Sequence, residues 1–548
     1  MEDVHLSDKP SHDSTHAQVR AVDDDILALE YDCKGSNWNA TAHDVREMDL
    51  FGIEPAFKRR FKFIAMVGFA STVVMCWQNT LATFSFALTN GGTGGYFFTY
   101  LYALFAFAFV YLSLAELSSS YPTAGGQYQW VAQCAPLKFR TPLSYCTGWL
   151  CSLAWLGYLA GCGVIIGNMT HDMAIIYYPN SSSFNSQWFP TVIAIASLVV
   201  GGLFNGRLAK QFPVLEGVML VIHMASWAAF VVTLWVTSPR GSPRDVILSF
   251  NNGGGWSSPG TASLIGVLTA CSALIGYDSA VHMTENAKDA SYTVPWSLVI
   301  AYAFNAGMGF IAGVTVIFCA GDLTEVLANG TQAPFVTIFL NSTGSKGGTV
   351  AMLVAITLCF LSSMISEVAT ASRQIWAFAR DDGLPLSNRL KHVSKSFSQV
   401  QRLLTVSKVS DEEVPQIALW TTVSATFVIT CVNFGSAVGF NAIISLVSVA
   451  LTFSYLITMS CAIWQRIWGT GIPKERFSLG VFGLPLNILG IIFIAPITVL
   501  APFPPYAHVT AANMNYAILI FGVVVIGAIV NYIVSGRKKF APTLRKEE

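Results

Sequence analysis

Charged residues are scarce in this sequence. Asp, Glu, Lys and Arg make up 11% of its 548 residues, and 53% of the residues are hydrophobic. A soluble domain has about 25% charged residues, so this composition excludes an ordinary soluble protein. The formal net charge is zero, so the overall charge gives no information about partners. The sequence has no nucleic-acid-binding patch, so we expect no nucleic acid partner.

Motifs of catalysis and cofactor binding are also missing. The sequence has no CxxC pair, no metal-ligand spacing and no phosphate-binding loop, and most of its eleven cysteines lie within apolar runs. We therefore expect no metal, no cofactor, no disulfide framework and no enzyme. An enzyme would have to use the one cluster formed by Asp278, His282 and Glu285. The first 60 residues are polar, so we expect no cleavable signal peptide.

Long apolar runs are abundant instead. Runs of about 20 residues are long enough to cross a bilayer core of about 30 Å. The sequence predicts an all-α integral membrane protein with twelve transmembrane helices, approximately at 63–88, 96–117, 142–166, 189–204, 213–236, 262–283, 294–320, 348–376, 415–432, 438–464, 484–501 and 514–534.

The basic residues predict the orientation. Twelve spans place both termini on one side, and if that side is the cytoplasm, 28 of the 31 Lys and Arg residues are cytoplasmic. This bias follows the positive-inside rule. Four glycosylation sequons then fall outside, at Asn168, Asn180, Asn329 and Asn341. Asn39 also heads a sequon but precedes the first span, so sequons alone are weak support.

The chain divides into a twelve-helix membrane domain and two tails. Residues 1–50 are polar and are expected to form a disordered cytoplasmic tail. Residues 51–535 hold the twelve helices, and residues 536–548 form a basic cytoplasmic tail.

Two spans are interrupted near the middle of the membrane. The sixth contains a glycine, Gly276, which costs a helix interior about 1 kcal/mol relative to Ala. The first contains three consecutive polar residues, for which ordinary interhelical hydrogen bonding is the alternative explanation. Paired interruptions in corresponding spans indicate a transporter with inverted repeats and a substrate site between them. The expected site comprises Cys76, Trp77, Gln78, Asn79, Thr80, Ser272, Ala273, Leu274, Ile275, Gly276 and Tyr277, with the aromatic side chains of Trp155 and Tyr158 as possible walls.

Ionisable residues inside spans are expected to be functional. After the break in the sixth span come Asp278, His282 and Glu285, spaced at i, i+4 and i+7. This spacing places them on one helix face, and we expect them to act in proton binding or in gating. Glu367 in the eighth span and His223 in the fifth are further proton-binding candidates. The alternatives are a permanent hydrogen-bonded network at Asp278, His282 and Glu285, and a pairing of Glu367 with Arg373.

Three stretches carry a family resemblance. S-L-A-E-L-S-S-S-Y-P-T-A-G-G-Q-Y-Q-W-V-A includes Glu116, Pro122, Gly125 and Gly126. With G-Y-D-S-A-V-H-M-T-E-N-A-K-D-A and T-A-S-R-Q-I-W-A-F-A-R-D-D-G-L-P, it resembles the amino acid–polyamine–organocation permeases, above all the fungal branch that carries amino acids, GABA and choline.

The resemblance implies a fold and a mechanism. The expected fold is a five-plus-five inverted repeat, at about 63–236 and 262–464, with two accessory helices at about 484–534, working by alternating access. Many relatives break the first helix at Gly-x-Gly, whereas this chain has Trp77-Gln78-Asn79 there. The break at 75–80 is therefore expected from its register alone.

The expected function is secondary active transport of a small amine-bearing metabolite, with a proton as the coupling ion. An amino acid or GABA is the favoured substrate, and choline, surrounded by aromatic rings, is the alternative. A non-transporting nutrient sensor is a rival, although residues 1–50 are short for a signalling extension. The plasma membrane is the default location, and a vacuolar membrane would give the same sequence pattern. The sequence indicates no oligomeric state.

Overall fold

The computed structural model describes residues 39–321, 326–327, 333–391, 414–434, 438–511 and 513–546. All regular elements in these ranges are helices, and twelve of them are long and apolar enough to cross a membrane, which confirms the predicted number. Numbered in chain order, these spans are Phe63–Thr89, Gly92–Ser120, Arg140–Tyr177, Trp188–Arg207, Ala209–Thr237, Pro259–His282, Ala290–Cys319, Lys346–Arg380, Gln416–Phe434, Gly439–Trp468, Gly480–Leu500 and Ala517–Lys539.

Shorter helices lie outside the spans. They are Ala42–Phe51, Gln127–Cys134, Pro243–Ile247, Pro334–Thr343 and Ser387–Leu390. The two described ends of the chain meet, because the Lys546 amide donates to the Leu50 carbonyl at 2.8 Å. We call this side of the molecule the termini face.

Spans 1 and 6 are each broken into segments. Span 1 consists of Phe63–Val74, Cys76–Ala82 and Phe84–Thr89, and span 6 consists of Pro259–Ile265, Leu268–Leu274 and Ser279–His282. The broken spans lie five apart in the chain, as the five-plus-five arrangement requires.

The broken spans form the centre of the protein. In the most apolar stretch of span 6, 94% of the residues are buried, compared with 11% in span 12. Span 12 therefore lies at the periphery, where its apolar side chains face outward, as expected for an accessory helix.

Span 3 is eleven residues longer than its predicted end at 166. The apolar run is interrupted by Asn168, Thr170, His171 and Asp172, yet the helix continues to Tyr177. The Thr170 hydroxyl donates to the Ile166 carbonyl at 2.8 Å, and Asp172 accepts the Ala333 amide at 3.2 Å. These bonds satisfy the polar groups and let the helix extend beyond its apolar stretch.

The expectation of a disordered tail is wrong for its last part. Residues 42–51 form a helix that begins with a capping box between Thr41 and Asp44. Asp44 is fully buried, pairs with Arg59 at 3.0 Å and accepts the amides of Asp289 and Ala290 at the start of span 7. This docking orders the helix. Residues 1–38 of the expected tail lie outside the described residues.

Candidate substrate site

The break in span 1 is a single residue. Met75 has a left-handed backbone conformation with φ of 46°, and helix resumes at Cys76. Side chains satisfy the carbonyls freed by the break: Asn79 Nδ2 donates to Val74 at 2.6 Å, and Ser363 Oγ of span 8 lies 2.5 Å from the Val73 oxygen. The break therefore lies at the beginning of the predicted stretch, and residues 76–80 are helical.

The break in span 6 coincides with the predicted one. Leu274 ends a helical segment, Ile275 is extended, and Gly276 has φ of 105°. The Tyr111 hydroxyl donates to the Leu274 carbonyl at 2.9 Å and accepts the Gly276 amide at 3.0 Å. A Cβ atom at residue 276 would lie 3.0 Å from the Tyr158 ring. Both the backbone conformation and the close approach of Tyr158 therefore favour glycine here.

A cavity lies between the two breaks. Its walls come from spans 1, 3, 6, 8 and 10. The lining residues are Asn79, Tyr158, Cys162, Ile165, Ser272, Ile275, Phe360, Glu367, Ile444, Val447 and Ser448. The cavity is therefore mostly apolar, with a carboxylate, an amide and hydroxyl groups in its wall. Polar groups placed in an apolar pocket are typical of a small-molecule site.

Four of the predicted substrate residues line this cavity. They are Asn79, Tyr158, Ser272 and Ile275. Ala273, Leu274, Gly276 and Tyr277 belong to the break in span 6 without lining the cavity, and Tyr277 packs between the rings of Tyr111 and Tyr302. Trp155 also lies outside the lining, where its Nε1 donates to His282 Nε2 at 3.0 Å.

The other predicted residues of span 1 face elsewhere. The Cys76 sulfur lies 3.5 Å from the Tyr100 hydroxyl, Trp77 packs on Phe230, and the Thr80 hydroxyl donates to the Cys76 carbonyl. Because residues 76–82 are helical, one residue in three or four can point into the cavity, and that residue is Asn79. Of the five residues predicted in this stretch, Asn79 therefore lines the cavity and the other four do not.

Six lining residues were not predicted: Cys162, Ile165, Phe360, Ile444, Val447 and Ser448. Cys162 and Ile165 follow Tyr158 at i+4 and i+7, which places them on the same helix face. Helical spacing from Tyr158 would have found these two residues. Those of spans 8 and 10 required the packing of distant segments.

Asp278 lies at the centre of a buried hydrogen-bonded network. Its Oδ1 accepts the Tyr455 hydroxyl at 2.5 Å, and its Oδ2 accepts Gln127 Nε2 at 2.6 Å. His282 Nε2 is 3.7 Å from Asp278 Oδ2 but accepts the Trp155 indole N–H, while His282 Nδ1 donates to the Ala124 carbonyl at 2.9 Å. The two hydrogen-bond donors to Asp278, Tyr455 and Gln127, are uncharged side chains.

Glu285 does not share that network. The helix ends at His282, and a 3-10 turn at Thr284–Asn286 directs Glu285 to Arg380, at 2.7 Å. The expectation of three residues on one regular helix face is therefore wrong for Glu285, because the helix does not continue that far.

Several contacts join spans 1, 6 and 8 at the termini face. Arg59 Nη1 donates to the Ala287 carbonyl at 2.6 Å, and Arg373 Nε donates to Asn286 Oδ1 at 2.6 Å. Residues 61 and 287 also form an isolated β-bridge. Together with the Glu285–Arg380 pair, these contacts close the protein between the cavity and the termini face.

Glu367 and His223 occupy different environments. Glu367 lines the cavity, and its Oε1 contacts the Ser363 hydroxyl at 2.7 Å, so the alternative pairing with Arg373 is not observed. His223 is fully buried away from the cavity, between Gln78 and Asn305, each at 3.0 Å.

The motif from Glu116 to Gly126 packs behind span 6. Glu116 pairs with Arg466 and accepts the Leu479 amide at 3.0 Å. Beyond Pro122, Gly126 has φ of 58°, and a Cβ there would lie 3.3 Å from the His282 ring, while Gly125 precedes it in the same turn. The motif therefore supports His282 at the end of span 6.

The sequons differ in accessibility. Asn180 is exposed in a turn, Asn168 lies within the helix of span 3, and Asn341 is exposed in a short helix. Asn329 lies outside the described residues. Of the described sequons in the predicted external segments, Asn180 best matches the surface loop that glycosylation requires. The described residues contain no group of three or more His, Cys, Asp or Glu side chains that would hold a metal ion.

Comparisons with known proteins agree with this architecture. Residues 61–526 match the family described as amino acid permease. A protein of Macrophomina phaseolina, provisionally named an amino acid/polyamine transporter, is 29% identical over 82% of this chain and 96% of its own length. Amino-acid permease 2 of Neurospora crassa is 26% identical, covering 92% and 90% of the two chains. The choline transporter of Saccharomyces cerevisiae is 25% identical, covering 97% and 89%. The chain therefore belongs to the amino acid permease family of the amino acid–polyamine–organocation superfamily and is an integral multi-pass membrane protein.

Proposed function

We propose that this protein is a secondary active transporter that moves a small amine-bearing metabolite by alternating access, with a proton as the coupling ion. The observation that carries the proposal is the cavity between the breaks in spans 1 and 6, closed toward the termini face. Opening that face and closing the opposite one would expose the cavity alternately to the two sides of the membrane.

Amino acids and GABA are the first substrates to test, and choline is the second. The relatives named as amino acid permease and choline transporter support both. Tyr158 and Phe360 supply aromatic rings that favour an organic cation.

We assign proton coupling to Asp278. It is fully buried and connects the break in span 6 to Tyr455 of span 10 and to Gln127. Its described hydrogen-bond donors are neutral, so an ionised Asp278 would be a buried charge without a cationic partner, which is costly. Taking up and releasing a proton here would change the contacts among segments that form the cavity. Glu285 acts in closing the termini face.

The termini face is assigned to the cytoplasm, in the plasma membrane. The basic residues support this orientation, because 28 of 31 Lys and Arg residues precede, follow or connect the spans on that side.

The test is uptake by yeast that lack their own amino acid, GABA and choline permeases. Radiolabelled substrates are supplied with and without a protonophore, to cells that express the wild type, Asp278→Asn or Asp172→Asn. We expect one substrate class to accumulate in the wild type, and the protonophore to abolish accumulation. Asp278→Asn should lose accumulation at normal surface expression.

The structure makes Asp278→Asn a mild replacement. Gln127 Oε1 has no hydrogen-bond partner among the described residues, so the Gln127 amide can rotate to accept an N–H from the new Asn. Asp172→Asn alters another buried carboxylate, remote from the cavity, and should retain uptake. Accumulation that survives the protonophore would refute proton coupling. A surface-expressed wild type that transports none of these compounds would favour the sensor.

A further inference from the structure

The charge of the cavity wall is one-sided. Among the described residues that line it, Glu367 is the single carboxylate, and no Lys, Arg or His side chain is present. Glu367 is 1% exposed, so its carboxyl group is shielded from bulk water by the surrounding spans. A carboxylate in such a place requires either a compensating cation or a proton.

The partners of Glu367 within the protein do not satisfy it. Its Oε1 shares the one hydroxyl proton of Ser363 with the Val73 carbonyl, which lies 2.5 Å from the same Oγ. Its Oε2 is buried and has no hydrogen-bond partner of ordinary geometry among the described residues. The neighbouring Cys162 thiol is only a weak donor, and its sulfur lies 3.5 Å from the Phe360 carbonyl, to which it donates. The carboxyl group therefore retains at least one free acceptor at the wall of the cavity.

The rest of the wall matches the body of a small amine. Tyr158 and Phe360 supply aromatic rings, which attract cationic nitrogen, and Ile165, Ile444 and Val447 supply apolar surface for methyl or methylene groups. The wall offers a substrate carboxylate no basic side chain, and the hydroxyl groups of Ser272 and Ser448 already donate to the Thr269 and Ile444 carbonyls, at 2.9 Å each.

We propose that Glu367 is the counter-ion that binds the cationic nitrogen of the substrate. Small amines with a net positive charge then fit the site better than zwitterions, because no cationic side chain in the wall balances a second negative group. This inference rests on the proposed function only for the identity of the cavity as the substrate site, and it assigns Glu367 to binding rather than to carrying the coupling proton.

The test measures binding to purified full-length protein, independently of transport. Radiolabelled choline and GABA are the probes, and 3,3-dimethyl-1-butanol competes as an uncharged molecule of the same shape as choline. We expect choline to bind more tightly than GABA. The uncharged competitor should bind about tenfold or more weakly than choline, because it lacks the Coulombic attraction between the ammonium charge and the carboxylate.

Three variants locate the effect. Glu367→Gln should weaken choline binding about tenfold or more and remove the preference over the uncharged competitor. Glu367→Asp keeps the negative charge and should retain part of that preference. This variant therefore distinguishes loss of the charge from a general folding defect caused by replacing Glu367. Asp172→Asn neutralises another buried carboxylate, one that does not line the cavity, and should keep the full preference.

Separate results overturn the inference and the proposed function. Tight choline binding by Glu367→Gln, with loss of protonophore-sensitive uptake, would show that Glu367 carries the proton instead. Wild-type protein that binds neither probe, or binds the uncharged competitor as tightly as choline, would also overturn the inference. Charge-dependent binding without transport would count against the transporter and leave the role of Glu367 standing.

Discussion

Glu285 and Arg380 form an ion pair of 2.7 Å between the turn after span 6 and the last residue of span 8. Arg380 also lies over the Trp376 ring, 4.7 Å from its centroid. The pair therefore joins the turn after span 6 to a long, continuous helix. Under the proposed alternating access, this ion pair would have to break for the termini face to open.

Glu285→Gln should destabilise the closed termini face. Breaking a hydrogen-bonded charge pair that is largely buried costs about 1–3 kcal/mol, so residues 283–290 should exchange amide hydrogens faster, and uptake should change. Hydrogen exchange followed by mass spectrometry checks this. Asp382→Asn is the matched control, because Asp382 pairs with Lys391 at 3.2 Å with both side chains about one-third exposed. Equal exchange in the wild type and Glu285→Gln would contradict the gating role.

Gly276→Ala should be strongly destabilising. Ala is strained at φ of 105°, and its Cβ would lie 3.0 Å from the Tyr158 ring, so the loss is expected to be about 1–3 kcal/mol. The thermal unfolding midpoint in detergent measures it. Gly307→Ala is the control, since a Cβ there meets nothing within 4 Å and the residue is helical. Similar midpoints for both variants would show that the break tolerates other residues.

Tyr111→Phe should loosen the break in span 6. The Tyr111 hydroxyl is bonded to both the Leu274 carbonyl and the Gly276 amide, and its removal leaves two buried backbone groups without these partners. Leaving such groups unpaired costs about 1–3 kcal/mol each. We expect lower thermal stability and weaker substrate binding, whereas Tyr506→Phe at an exposed site should alter neither. Wild-type stability in Tyr111→Phe would indicate that other donors replace the hydroxyl.

The docking of the helix Ala42–Phe51 should depend on pH through Glu47. Burial, with Asp44 and Asp289 nearby, raises the pKa of Glu47 from 4.5 to about 7, although Ser291 and Arg59 oppose the rise. A carboxyl group with a raised pKa in the folded state favours docking most below its ordinary pKa, and this contribution is lost as pH rises through about 7.

Hydrogen exchange of residues 42–51, corrected for the intrinsic pH dependence, therefore should be slower at pH 5.5 than at pH 7.5. Glu47→Gln, which stays neutral, should remove most of this difference. Asp49→Asn alters an exposed acid of the same helix, and its pH dependence should match that of the wild type. A pH dependence that persists in Glu47→Gln would mean that another group titrates.

Local pattern was sufficient for much of the fold. Runs of about 20 apolar residues predicted all twelve spans, because the bilayer thickness sets their length. Gly276 marked the break in span 6, since a glycine is the residue best suited to its positive φ. The capping box at Thr41 and Asp44 was also readable, but it lay in a segment whose polarity favoured disorder.

The site was predicted less completely, for a geometric reason. Among the residues predicted for the substrate site, Asn79, Tyr158, Ser272 and Ile275 line the cavity, whereas Cys76, Trp77, Gln78 and Thr80 do not. Their positions depend on where the helix of span 1 resumes, and a shift of one residue turns a side chain by about 100°. Phe360 and Ser448 gave no signal, because nothing in a sequence states which faces of two distant helices meet.

The sequence by itself determined that this protein is a membrane-embedded helical bundle with interrupted helices, since hydropathy, span length and glycine placement are local properties. The tertiary structure alone decided which polar groups meet, pairing Glu285 with Arg380 and Asp278 with Tyr455. It also placed Glu367 in the cavity wall with one carboxyl oxygen left without a partner among the described residues. Those pairings arise from the packing of segments 95 and 177 residues apart in the sequence, in which each buried polar group takes the partner that geometry brings within reach.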